Sequence, residues 1–149
     1  VIDDPSLIDR MSHEALRMTS PVMHMRRTAT EDTEIAGQRI AENEKIIMWY
    51  GAANRDPSVF PNPDVFDLTR DNVEKHVAFG HGVHRCLGNR IAQMQLKMAY
   101  ERILERFPNI HWTGKQKIEP IILVHAISSL KVNLYGKEAK RPTQVAVPG

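Results

Sequence analysis

Phe79-Gly80-His81-Gly82-Val83-His84-Arg85-Cys86-Leu87-Gly88 holds the chain's one cysteine, set among three glycines. An amphipathic pattern begins directly after it, so the sulfur stands where a helix starts. Glycines permit the tight, positive-φ turns that let a backbone approach a flat cofactor and aim its amides at an anion. The positive end of the helix dipole favours a thiolate over a thiol. A lone thiolate framed in this way suits one soft metal ion bound axially. A lone cysteine can equally be a small buried apolar residue.

Downstream of this loop, Ile91, Ala92, Leu96, Ala99, Tyr100, Ile103, Leu104 and Phe107 trace a helical stripe, and Pro108 ends it. Lys97 and Glu101 predict an i,i+4 ion pair on the other side of that helix. Ile118 to Leu134 is strand-like and predicts a hairpin with His125-Ala126-Ile127 at its tip. Upstream, Gly51 to Arg70 contains three prolines and little periodicity, which predicts an irregular, packed meander. Val22 to Tyr50 alternates short apolar stretches with turn formers such as Ala36-Gly37-Gln38, the pattern of a small antiparallel sheet. Leu7, Ile8, Met11, Ala15, Leu16 and Met18 predict an amphipathic helix that starts after Pro5 and stops before Pro21.

Twenty basic and eighteen acidic residues leave a net charge of +2, too balanced to point to nucleic acid as a partner. One cysteine excludes an internal disulfide and fits a reducing compartment. No run of apolar residues is long enough to span a membrane.

The glycine loop resembles the haem-binding signature of the cytochrome P-450 monooxygenases, Phe-x-x-Gly-x-x-x-Cys-x-Gly, at Phe79, Gly82, Cys86 and Gly88. A second family hallmark, Glu-x-x-Arg on a helix, reads Glu14-Ala15-Leu16-Arg17. A third, the meander, runs from Asn54-Arg55-Asp56-Pro57 through Phe60-Pro61-Asn62-Pro63-Asp64-Val65-Phe66. The resemblance covers essentially the whole chain. It implies a mainly α fold with small antiparallel β-sheets, the C-terminal portion of the cytochrome P-450 fold. Family members are well over twice as long, and this sequence opens at Val1 without an initiator methionine. A piece of a longer protein is therefore expected, lacking the helix that crosses the distal face of the haem. Residues 1–136 are expected to form the haem-binding portion and residues 137–149 a flexible tail.

The resemblance implies haem b (iron protoporphyrin IX) as cofactor, with Cys86 as axial thiolate ligand and catalytic centre. The thiolate would push electron density onto iron and favour O–O cleavage, the chemistry for which this family is the general example. Amides of Leu87 and Gly88 are expected to donate to the sulfur. Phe79 is expected to shield the thiolate, a role that merges with ordinary core filling. Gly80 and Gly82 complete the cradle. His84 matches a donor to a haem propionate, although a solvent-facing loop histidine would read the same. Arg27, in Arg27-Thr28-Ala29, fits the family's propionate-binding arginine better than Arg26, which stays as the alternative.

Glu14 and Arg17 are expected to form a buried structural pair tied to the meander, rather than a surface pair worth a fraction of a kcal/mol. Val65 stands where the family usually has an arginine, so Arg70 or a backbone carbonyl is left as the third partner. Pro21 to Met25 and His125-Ala126-Ile127 are candidate substrate-facing segments. Lys75, Arg85, Arg90 and Lys97 could form a basic patch for an acidic electron donor, or be scattered solvated charge.

The reading is a cytoplasmic haem-thiolate monooxygenase that inserts one oxygen atom of O2 into an unactivated C–H bond of a small hydrophobic substrate. Its motifs look most like those of soluble bacterial alkane and fatty-acid terminal hydroxylases, with terpene and camphor hydroxylases as runner-up. A 2Fe-2S ferredoxin and its NAD(P)H-dependent reductase are the implied electron donors. A non-catalytic haem-binding or structural fragment is the alternative from another class.

Overall fold

A computed structural model describes residues 1–136. The expected flexible tail, 137–149, lies outside the described residues. The first helix, α1 (Ile8–Thr19), is entered through a 3-10 turn at Pro5–Leu7, where Asp4 accepts the Ser6 amide at 3.1 Å. It stops because Ser20 turns left-handed (φ 39°) and returns its amide to the Leu16 carbonyl at 2.9 Å. Pro21 follows and has no N–H with which to continue.

Val22 to Tyr50 folds into two separate two-stranded ladders rather than one sheet. β1 (His24–Thr28) pairs antiparallel with β4 (Lys45–Trp49), with Met25 opposite Met48 and Arg27 opposite Ile46. Strand alternation therefore sends Met25 and Arg27 to one face and His24 and Arg26 to the other. β2 (Thr33–Ile35) and β3 (Gln38–Ile40) close through Ala36 and Gly37, both at positive φ, the two-residue hairpin turn that matches strand twist.

β4 runs straight into the short α2 (Tyr50–Ala53), which takes the first three residues of the stretch from Gly51 to Arg70 expected to be irregular; from Asn54 to Arg70 the chain carries no strand or helix. Two 3-10 turns, Val73–Lys75 and Gly82–His84, then bring the chain to α3 (Asn89–Arg106). α3 packs on α1, yet none of its residues is buried, and Ile91, Met94, Met98 and Ile103 stay exposed. The expected Lys97–Glu101 pair is not among the described ion pairs. Arg102 and Glu105 pair instead, at 3.0 Å on the exposed surface.

The last hairpin is β5 (His111–Glu119) against β6 (Ala126–Asn133). It starts at His111 rather than Ile118. The register slips between Trp112 and Lys115, around Gly114 at φ 81°, and such a bulge erases the alternation by which a strand is read. Ala126 and Ile127 open β6 and only His125 belongs to the tip, another departure from the expected layout. That tip docks on the segment after α1: Val124 bridges Val22, the Met23 amide reaches the Leu123 carbonyl at 3.0 Å, and His125 donates to the Pro21 carbonyl at 2.8 Å.

The centre of the fold is unusually polar. Ser12, His13, Glu14, Arg17, Ser20, Asn54, Arg70 and His76 are all buried, around an apolar anchor formed by Ile8, Phe60 and Val73. Buried polar groups are tolerable only when bonded, and here the bonds tie α1, the meander and the cysteine loop together.

Candidate cofactor site

The Glu14–Arg17 pair is fully buried, both side chains at 0% exposure, and bidentate: Arg17 Nε to Glu14 Oε2 at 2.7 Å and Nη2 to Oε1 at 2.8 Å. Arg17 spends its remaining donors on the meander, reaching the carbonyls of Asn54 (2.8 Å), Pro63 (2.7 Å) and Val65 (3.3 Å). Its guanidinium also lies 5.3 Å from the centre of the Phe60 ring. Both candidates for the third partner are used. Arg70 Nε meets Glu14 Oε1 at 3.3 Å, and Arg70 itself binds the carbonyls of Pro61, Asn62 and Val65.

Burial pushes the Glu14 carboxyl up. The bonds from Arg17 and the Asp67 amide, with the charges of Arg17 and Arg70, outweigh it and hold the group below its ordinary value. Glu14 is therefore a carboxylate that the meander is wrapped around.

Asn54, which the sequence motifs did not single out, is a hub. It is fully buried, donates to Ser20 Oγ at 2.8 Å and accepts the Val77 amide on Oδ1 at 2.7 Å. Through it the end of α1 is fastened to the strip that leads into the cysteine loop. Its position in Asn54-Arg55-Asp56-Pro57 marked the start of the meander but gave no sign of a role toward Val77.

The loop closes on itself. The Cys86 amide donates to the Phe79 carbonyl at 2.8 Å, Gly80 to Val77 at 2.8 Å and Arg85 to Gly82 at 3.0 Å. Gly80 sits at φ 72° with Tyr50 Oη 3.3 Å from where a Cβ would be. Gly82 has φ 70° and makes the turn without lining the cavity. The α3 helix begins at Asn89, directly after the loop, so the sulfur does lie at a helix start.

Cys86 is exposed and unbonded to other sulfur, and it opens on a cavity of about 520 Å³ with mainly apolar walls. Arg27, Phe79, Gly80, His84 and Cys86 all line that one cavity, although the sequence separates Arg27 from the rest by some fifty residues. Arg26 does not line it, which favours Arg27 of the two arginines. Tyr50, Leu16, Pro21, Val22 and Met25 add the apolar wall; of these only Pro21, Val22 and Met25 fell in a segment expected to face substrate. His125-Ala126-Ile127 does not line the cavity.

Leu87 is fully exposed and outside the cavity, and Gly88 lies close to the sulfur, its Cβ position 3.8 Å from Sγ. No amide–sulfur hydrogen bond is found among the described residues. The expected donation from Leu87 and Gly88 to Sγ is therefore not seen in this structure. The basic residues Lys75, Arg85, Arg90 and Lys97 are all exposed.

Among the described residues no group of three or more histidine, cysteine or acidic side chains could hold a metal ion. A metal at Cys86 would thus take one ligand from the protein and the others from a cofactor. An apolar wall, one soft sulfur donor, and an arginine and a histidine on the same cavity fit a flat apolar macrocycle that carries iron and acidic side groups.

The comparisons with known proteins agree. The family model for Cytochrome P450 matches residues 4–132. The chain belongs to the cytochrome P450 family, whose cofactor is haem with an axial cysteine thiolate. It is 43% identical over 133 residues to linalool 8-monooxygenase of Pseudomonas putida, covering 89% of this chain and 32% of that protein. Its fold matches P450BioI in complex with hexadec-9Z-enoic acid ligated acyl carrier protein, with TM-score 0.85, 39% identity, and 89% of this chain against 35% of that one. It also matches cytochrome P450-153 from Novosphingobium aromaticivorans, with TM-score 0.82 and 42% identity over 88% of this chain and 33% of the other. The chain spans about a third of the length of these proteins. No described helix is long and apolar enough to cross a membrane.

Proposed function

We propose that the protein containing this chain is a haem-thiolate monooxygenase in which Cys86 is the axial ligand. The observation that carries this reading is the shared cavity: an exposed thiol, with Phe79, Arg27 and His84 on the same walls. Arg27 and His84 would hold the propionates, and Phe79 would keep water from the sulfur. Gly80 and Gly82 shape the turns, and Leu87 and Gly88 lead from the sulfur into α3. Bound there, haem supplies oxygen activation, so that O2, two electrons and two protons yield one hydroxylated C–H bond and one water.

The proposed substrate is a small hydrophobic molecule, with terminal hydroxylation of an alkane or fatty acid as the favoured reaction. Pro21, Val22 and Met25 present apolar surface to the cavity, and the similar P450BioI was solved with a hexadec-9Z-enoic acid chain. A terpene hydroxylase is the second reading, favoured by the identity to linalool 8-monooxygenase. Product analysis with an n-alkane, a fatty acid and linalool separates the two. A 2Fe-2S ferredoxin with an NAD(P)H-dependent reductase is the proposed electron source, docking near Arg85 and Arg90.

The ferrous–CO spectrum tests the assignment. A thiolate-type Soret band in the protein, lost in Cys86→His, is expected. Its absence from the unmutated protein would favour a structural piece with no thiolate-bound haem.

A further inference from the structure

His13 and His76 form a buried pair that lies outside the cavity wall. His76 sits between the 3-10 turn Val73–Lys75 and Phe79, so it precedes the cysteine loop. Its two ring nitrogens have different partners. Nδ1 accepts the Ala78 amide at 3.2 Å, and Nε2 lies 3.2 Å from Nδ1 of His13 on α1. An amide N–H can only donate, so His76 Nδ1 carries no proton and its proton sits on Nε2. That proton is then donated to His13 Nδ1, which fixes the second tautomer as well. The His76 ring also lies 6.0 Å from the Phe79 ring, tilted by 47°.

One neutral imidazole thus connects the helix of the Glu14–Arg17 pair to the residues that lead into the sulfur loop. A second proton on His76 would sit on Nδ1 and point at the Ala78 donor, breaking that bond. The surroundings oppose this protonation. Burial first, then His13, Arg85 and Arg17, push the His76 pKa down to about 4, with Glu14 acting the other way. On its own segment the neighbouring charges, Glu74 and Lys75, are exposed.

We propose that His76 is a positioning residue for the Cys86 loop, acting as a neutral strut that sets Ala78 and Phe79 against α1 and that releases them when it is protonated. Only the spectroscopic part of its test rests on the haem-thiolate reading.

The test compares His76→Asn, which keeps an acceptor oxygen near the Nδ1 position, with His76→Leu, which keeps only bulk, in the haem-loaded protein containing this chain. The first measurement is denaturant stability against pH. Between pH 6.5 and about 4 the native protein should take up about one more proton on unfolding than either variant, so its stability falls more steeply there than theirs as pH is lowered. The second is conversion of the thiolate-type ferrous–CO band at neutral pH. Asn should hold the band, while Leu should lose it about tenfold faster, the effect of one buried amide left without an acceptor.

Equal pH slopes in all three proteins would overturn the release on protonation. A Leu variant as durable as the native protein would overturn the positioning role. Should the Leu variant fail to fold, the Asn slope and its retained band decide alone. A native protein without the band sinks the haem reading, and the pH slopes still decide whether His76 is the strut.

Discussion

The Cys86 amide is bonded to the Phe79 carbonyl at 2.8 Å, so the sulfur-bearing residue and the aromatic expected to shield it are two ends of one closed loop. Neither can move without the other. The relation turns a spacing in the sequence into a fixed wall of the cavity, and it sets what changes at the site should do.

Cys86→His should abolish the thiolate-type ferrous–CO band and oxygen activation, because imidazole donates less electron density than thiolate. The spectrum of the purified variant checks this. Retention of both properties would remove Cys86 as ligand.

Arg17→Ala takes both bidentate bonds from the fully buried Glu14 carboxylate, leaving it only Arg70 and the Asp67 amide, and strips the Arg17 donors from the carbonyls of Asn54 and Pro63. Breaking a buried pair from one side costs roughly 3–5 kcal/mol. Loss of haem retention and of soluble folded protein is the expected result, read by melting temperature and haem content. Values near wild type would mean that breaking the buried pair costs no more than breaking a surface bridge.

Acid should act through Glu14 in a defined window. Its carboxyl is held below the ordinary 4.5, so its contribution is complete above that pH and is lost as pH falls through the lower folded value. Glu14→Gln should therefore be less stable at neutral pH and flatter below pH 4.5. A variant with the native acid limb would mean that Glu14 is not the group that titrates.

Gly80→Ala places a side chain at φ 72°, against Tyr50 Oη. The left-handed conformation costs an L residue about 1–2 kcal/mol, and the contact adds to it. Lower melting temperature and faster haem loss should follow. Gly37→Ala, also at positive φ but with open space around its Cβ position, should lower the melting temperature without hastening haem loss. Equal haem loss in the two would mean that the Tyr50 contact contributes nothing.

Arg85 and Arg90 are exposed beside the sulfur loop. Reversing both to glutamate should slow association with an acidic ferredoxin and weaken its salt dependence. Peroxide-supported turnover, which needs no donor, should change little. Equal loss in both assays would assign the arginines to the haem site itself.

The sequence alone carried the residues whose chemistry is local. A cysteine in a glycine frame, followed at once by a helical stripe, reads as a ligand loop because glycine conformation and helix periodicity depend on near neighbours. Glu14 and Arg17 were legible as a helix pair for the same reason, and so were the bounds of α1, set by Pro5 and Pro21. Tertiary structure decided what those residues touch. The third partner of the pair proved to be both Arg70 and backbone carbonyls, since folding the meander brings the carbonyls of Pro61, Pro63 and Val65 onto the guanidinium groups of Arg17 and Arg70. Arg27, which its Arg27-Thr28-Ala29 context favoured in the sequence, lines the cavity and Arg26 does not because of the strand face that β4 pairing gives each. The start of the last hairpin was hidden by its bulge. Asn54, His13 and His76 gave no signal, because a buried hydrogen bond between distant segments leaves no period in the sequence. It exists only once packing excludes water from both of its ends.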